Sequence, residues 1–161
     1  MTIPHSHTIL PAGSWDKAKS TDTVTLAWDD RHRRRIVLRS DLGLEFLLDL
    51  HRAARLAEGD GLLLEDGRIV RVIAAPEPVL ELRPGKTSLS RLAYHLGNRH
   101  LDLEIGNDVL VIRADPVIAD MVRQLGGLVA AVNRPFTPEP GAYDGEADSG
   151  HHRHDHGHDH D

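Results

Sequence analysis

The chain of 161 residues has no cysteine. That removes disulfides, thiolate catalysis and zinc-finger sites, and leaves nitrogen and oxygen to hold any transition metal. Aromatic residues make up 4% of the chain and all apolar residues 40%. A folded body must therefore be packed from Leu, Val, Ile and Ala. If it divides into two domains, each core is thin and gains from oligomerisation. No stretch approaches the roughly 18 apolar residues that cross a bilayer. The opening MTIPHSHTILPAG has no basic patch followed by an apolar run, so neither a membrane span nor a secretory signal is expected and the location is read as cytoplasmic. Basic charge is also scarce. The net charge is −6, and the last eleven residues contribute one Arg and three Asp, so the rest still carries −4. A nucleic-acid module is usually basic, and that class is not expected here.

What is present divides into two patterned halves. Residues 22–28 (DTVTLAW) alternate with Val24, Leu26 and Trp28 on one face, the period of a strand. DDRHRR reads as a turn, RIVLRS as the returning strand, and LEFLLDL (44–50) as a further strand, followed by a helical turn near 51–57. LLLEDGRIVRVIA (62–74) predicts a hairpin about Asp66-Gly67. Pro76 and Pro78 interrupt this β half and mark a boundary. Beyond them, PVLEL (78–82) predicts a strand. Thr87 or Ser88 caps a helix with Leu89, Leu92, Ala93 and Leu96 on one stripe and Gly97 at its end. LDLEI (101–105) and VLVIR (109–113) flank a turn at Gly106-Asn107-Asp108. Asp115 and Pro116 open a second helix with Val117, Ile118, Met121, Val122 and Leu125 inward, and LVAAV (128–132) ends the plan. The class is α+β: an N-terminal all-β domain at 1–75, a ferredoxin-like βαββαβ domain at 76–136, and a mobile tail at 137–161 too poor in apolar residues to offset its ordering entropy.

Histidine is the residue this chain has in concentrated excess. Six of its twelve lie at the end, His151, His152, His154, His156, His158 and His160, with Asp155, Asp159 and Asp161 between them. Neutral imidazoles at nearly every second position of a flexible strand can wrap several coordination geometries around Ni²⁺, Zn²⁺ or Cu²⁺. Each binding event orders the strand, so affinity per site stays modest and exchange fast, which suits collection and transfer better than catalysis. Breaks at Arg153, Asp155, Gly157 and Asp159 distinguish the tract from a purification tag.

One internal segment adds to this: YHLGNRHLDLEI, Tyr94 to Ile105. With Leu96-Gly97-Asn98-Arg99-His100, the preceding Tyr94-His95 and the following Leu103-Glu104-Ile105, it resembles the UreE urease accessory protein family. LLLEDGR (62–68), APEPVLEL (75–82), PFTPEPGAY (135–143) and the His-rich tail extend the resemblance over nearly the whole chain, in the family's order. The resemblance implies a homodimeric nickel metallochaperone. Its N-terminal β domain meets partner proteins, and its C-terminal domain dimerises and binds metal. His100 from each protomer would share one Ni²⁺, and the receiving partners are the urease GTPase accessory protein and the urease apoprotein complex. From the residues alone, His100 reads first as a surface histidine in a helix–strand turn, and a lone imidazole cannot hold an ion by itself. A two-fold axis would supply its mate.

Other features carry less. His95 stands in the last helical turn, where a cation suits the helix dipole, and is read as structural. Ile112-Arg113-Ala114-Asp115-Pro116 lacks the histidines that many family members place there, so an auxiliary internal site is not expected. Arg31, Arg33, Arg34 and Arg35 read as a solvated hairpin end, or as a docking patch for an acidic partner. Asp49 and His51 are read as local hydrogen-bonding groups, and Glu77, Glu81 and Glu104 as lying apart on separate elements. No nucleophile or acid–base set is visible, so an enzyme is not expected. The competing function is a store or buffer for Ni, Zn or Cu ions without a delivery partner, which the tail alone fits equally well.

Overall fold

A computed structural model describes residues 2–140. The tail histidines, His151 to His160, and the expected mobile segment from residue 141 onward lie outside the described residues. Within them the chain forms ten strands, two α-helices and two short 3-10 turns, arranged in two sheets. Each sheet belongs to one domain.

The N-terminal sheet comprises β1 (His5–Leu10), β2 (Asp22–Leu26), β3 (His32–Arg39), β4 (Glu45–Arg55), β5 (Gly61–Leu64) and β6 (Ile69–Ala74), in the order β2-β6-β5-β1-β4-β3. β1 runs parallel to β4 and β2 parallel to β6, while the remaining neighbours are antiparallel. Its core is aliphatic apart from Phe46, built from Leu48, Leu50, Leu56, Leu62, Leu64, Val70 and Val72. The hairpin at Asp66-Gly67 is present. Gly67 takes φ +89°, the Leu64 amide donates to the Arg68 carbonyl at 2.8 Å, and Asp66 Oδ1 accepts from the Arg68 amide.

Three expectations are corrected in this half. The helical turn expected near 51–57 is strand, because β4 continues to Arg55 and pairs His32 with Arg55 and Arg33 with Ala54 beyond a bulge. The turn expected over DDRHRR is confined to a 3-10 turn at Trp28–Asp30, and β3 already begins at His32. Trp28 therefore leaves the face it was expected to share with Val24 and Leu26.

The second sheet follows Ala75. β7 (Pro76–Arg83), α1 (Leu89–Gly97), β8 (Glu104–Ile105), β9 (Leu110–Arg113), α2 (Pro116–Gln124) and β10 (Leu128–Pro135) give the order β10-β7-β9-β8, antiparallel throughout. One sheet face packs both helices, with Leu80, Leu82, Leu92, Leu96, Leu110, Ile112, Ile118 and Val122 buried between them. Ser88, not Thr87, caps α1, its Oγ accepting from the Arg91 amide at 3.1 Å. Asp115 caps α2 by accepting from the amides of Val117 at 2.9 Å and Ile118 at 3.2 Å. Replacing Asp115 with alanine leaves those amides without their cap, and urea unfolding is expected to show a loss of about 0.5–2 kcal/mol. Val117 is corrected: it is 66% exposed, on the outer flank of the stripe set by Ile118, Ala119 and Val122. The strand expected over 101–105 shortens to Glu104–Ile105.

The chain expected to be mobile from Thr137 is tied down at its start. The Thr137 amide donates to Glu104 at 3.1 Å, Pro138 is buried, and the Glu139 amide donates to the Leu103 carbonyl at 2.8 Å. Just before it, Phe136 is fully buried with Val79 and Val111 on the sheet face opposite the helices. Trp28 of the first domain closes over Phe136 edge-to-face, with ring centroids 6.0 Å apart. The two domains therefore share a small third core.

Candidate metal centre

The sequence motif GNRH lies where α1 ends. Asn98 caps the helix, the Arg99 amide donates to the Leu96 carbonyl at 3.1 Å and the His100 amide to the Gly97 carbonyl at 3.1 Å. These tight bonds wind the chain into a left-handed position at His100, φ +55°, which no other non-glycine residue adopts among those described. A side chain there is disfavoured by its own Cβ, and histidine is one of the few types found in such positions. His100 is exposed, as are Gly97, Asn98 and Arg99 around it. His95 is half-buried in the last turn of α1 and meets Tyr94 edge-to-face at 5.4 Å. The tail histidines lie outside the described residues.

The segment before α2 forms the wall of a cavity of about 380 Å³, lined by Leu101, Asp102, Ile112, Arg113, Ala114 and Asp115. None of its walls is histidine. Its polar groups are partly engaged, since Arg113 reaches Asp29 at 2.8 Å and Asp102 at 3.3 Å.

A group that sequence reasoning missed stands in the first domain. His5 and His7 leave the same face of β1, two residues apart, with their rings 5.9 Å from one another. Glu65 begins the turn after β5, where its amide donates to the His5 carbonyl at 2.9 Å. One ligand atom from each of His5, His7 and Glu65 lies within 4.8 Å of the other two. His7 has two partners: Nδ1 faces the Asp49 carbonyl at 2.8 Å and Nε2 faces Glu65 Oε1 at 2.9 Å. The carbonyl, then the carboxylate, raise the His7 pKa above the ordinary imidazole value. Beside them Arg34, Asp49, Leu50 and His51 join His7 around a shallow cavity of about 310 Å³. Among the described residues these three are the group of nitrogen and oxygen donors that meets around one point. The signal is the spacing His-x-His, legible only once 5–10 is known to be a strand.

The arginine cluster divides. Arg31 is 1% exposed and donates through Nη2 to the Phe136 carbonyl, so it is a strut between domains and not part of a solvated hairpin end. Burial pushes its pKa down from the ordinary guanidinium value, and Glu77 opposes that shift. Arg33 pairs with Asp30 at 3.0 Å and Arg35 with Asp49 at 3.2 Å, while Arg34 is exposed. The carboxylates expected to lie apart are partly joined. Arg134 bridges Glu81 at 3.3 Å and Glu104 at 2.6 Å, and Arg83 with Arg134 holds the Glu81 carboxyl below its usual range. Glu77 accepts from the Trp28 amide at 3.0 Å. These pairs hold elements together.

Two family models match the chain in tandem. "UreE urease accessory protein, N-terminal domain" covers residues 3–75, and "UreE urease accessory protein, C-terminal domain" covers residues 77–161. This chain belongs to the UreE urease accessory protein family. The UreE matches divide between the two sheets. Among curated relatives, the urease accessory protein UreE of Chelativorans sp. (strain BNC1) is 52% identical over 145 residues, 88% of this chain and 91% of that protein. UreE of Rhodopseudomonas palustris (strain HaA2) is 55% identical over 128 residues, 79% of this chain and 60% of the relative. UreE of Beijerinckia indica is 46% identical over 149 residues, 92% and 84% of the two chains. No helix of this UreE chain, among the described residues, is long and apolar enough to cross a membrane.

Proposed function

We propose that this chain supplies Ni²⁺ for assembly of the urease metallocentre, as a homodimer with His100 of both protomers as its central ligands. A UreE protein is an accessory chaperone of urease and works with other urease accessory proteins. The observation that carries the site is the backbone of His100. Glycine adopts φ +55° freely, whereas a side chain there costs of order 1 kcal/mol. What histidine adds at that cost is an exposed imidazole at the tip of a rigid helix end.

One imidazole does not hold an ion. A two-fold axis near His100 brings in a second, because an isologous interface sets each residue near the axis against its own copy. His151, His152, His154, His156, His158 and His160 complete the coordination from the tail. The second domain, 76–136, is read as ferredoxin-like from its βαββαβ order and its strand order β10-β7-β9-β8, and as the seat of dimerisation. Residues 1–75 are read as the domain that meets partner proteins. Transfer is ligand exchange: tail imidazoles capture Ni²⁺, the His100 pair holds it, and ligands of the urease GTPase accessory protein displace them on the way to the urease apoprotein. Zn²⁺ and Cu²⁺ suit the same donors, so selection of nickel comes from cellular supply and the receiving partner.

Nickel titration with mass measured at each step tests this reading. Deleting 149–161 is expected to lower the ions bound per dimer and leave about one at the His100 pair. Capture is expected to weaken as pH falls through about 6.5, since a protonated imidazole cannot bind metal. An unchanged count after deletion, or binding flat between about pH 5 and 8, refutes the division of roles. Loaded protein mixed with the GTPase partner separates delivery from storage: nickel moves to the partner in the first case and stays in the second.

A further inference from the structure

We infer that His5, His7 and Glu65 form a second transition-metal site, on the N-terminal sheet and separate from the dimer axis. The donor set is two imidazoles and one carboxylate, which suits a divalent ion such as Ni²⁺ or Zn²⁺. Its three donors come from a single rigid platform. β1 lies between β5 and β4, so both histidines stand on an interior strand of the sheet. Glu65 is held to that strand by its backbone bond to His5. Ser6, between the two histidines, is buried, and the two rings stand 5.9 Å apart where the pairing of β1 with β5 shifts register between Ser6 and Thr8.

The tautomer of His7 points the same way. A backbone carbonyl only accepts, so the Asp49 carbonyl at 2.8 Å requires the proton on Nδ1. Metal-binding histidines have this second contact: the far nitrogen donates to a carbonyl, and the near one turns its lone pair to the ion. Here the near nitrogen faces a carboxylate oxygen at 2.9 Å. Two lone pairs cannot share that space without a cation between them, which is either a proton carried by one of the two groups or a metal ion. His5 distinguishes the two. An imidazolium–carboxylate pair needs only His7 and Glu65, yet a ring nitrogen of His5 also lies within 4.8 Å of both. Ligands of one ion at metal–ligand distances of about 2.0–2.2 Å stand no more than about 4 Å apart. Closing the site therefore draws the three donor atoms, now within 4.8 Å of one another, nearer together. Three protein donors leave at least one position of a four-coordinate ion for water, and the cavity lined by Arg34, Asp49 and His51 beside His7 gives room for an exchanging donor.

The test uses the full-length chain with His100 and the six tail histidines all replaced by alanine, titrated calorimetrically with NiCl₂ and, separately, with ZnCl₂. One ion per protomer is expected with at least one of the two. Adding His5→Ala, His7→Gln or Glu65→Gln is expected to weaken that binding about tenfold or more, since even an outer partner of a ligand is worth 10–100-fold. In the unsubstituted protein, Ni²⁺ added beyond what the tail and the His100 pair take up should broaden the amide signals of Ser6 and Glu65. That readout keeps the test decisive if a combined variant misfolds. No uptake by the parent variant together with sharp Ser6 and Glu65 signals overturns the site. So does uptake that His5→Ala leaves unchanged. The His100 reading survives either failure, because its ligands are absent from the first experiment.

Discussion

Truncating Phe136 to alanine is expected to lower the stability of the protein by about 3–5 kcal/mol. The ring is fully buried and sits on Val79 and Val111, so its loss opens a cavity against a sheet face that otherwise meets water. Two further contacts depend on it. Trp28 loses its edge-to-face partner at 6.0 Å, and the carbonyl of residue 136 shifts beneath the buried guanidinium of Arg31. Arg55 also stacks on Trp28, 3.6 Å from the ring centre, so any shift of the indole disturbs that contact too. These residues join the domains together with the bonds of Trp28 to Glu77 and Asp102 and the outer ion pair Arg113–Asp29. Urea unfolding of Phe136→Ala should therefore show a lower midpoint and a separation into two steps, the weakened domain first. A single transition at the unaltered midpoint would show that the domains are coupled elsewhere.

That interdomain core also explains what sequence could not disclose. Trp28 alternates correctly with Val24 and Leu26, and nothing local says that the strand ends at Leu26. Its partner Phe136 lies at the far end of the last strand, in a phrase that reads as polar linker. Strand β1 is hidden for a related reason. His5, Ser6 and His7 reverse the usual pattern, with the small polar Ser6 inward and the large rings outward. The end of β4 reads as helix because His51-Arg52-Ala53-Ala54-Arg55 has no apolar alternation, and only pairing with β3 holds it extended. The helices are legible because their signals are local. Ser88, and Asp115 with Pro116, are caps whose chemistry does not depend on a distant partner. The candidate sites divide in the same way. GNRH is contiguous and open to recognition by resemblance, whereas His5, His7 and Glu65 are brought together only by the pairing of β1 with β5.

Replacing His100 is expected to have a larger effect than replacing one ligand usually does, because in the homodimer proposed above one substitution removes two imidazoles. If each ligand contributes at least tenfold, the pair contributes about 100-fold, or about 2.8 kcal/mol. In a chain whose tail histidines are already alanine, and whose first-domain site is silenced by His5→Ala, His100→Ala should weaken the remaining nickel site by at least that much. His100→Gly separates ligation from folding. Glycine relieves the strain of φ +55°, so the metal-free Gly variant should be as stable as the parent or up to about 1 kcal/mol more stable. Nickel affinity should nevertheless fall as far as in the alanine variant. A purely structural histidine would give the opposite result, with the conformationally suited glycine restoring whatever alanine lost. Mixed dimers give the last discrimination. Pairing one parent protomer with one His100→Ala protomer leaves a single imidazole at the axis, so the mixed dimer should bind nickel about tenfold more weakly than the parent and about tenfold more tightly than the double variant. Mixed dimers that hold one ion as tightly as the parent would mean that the two rings do not share it.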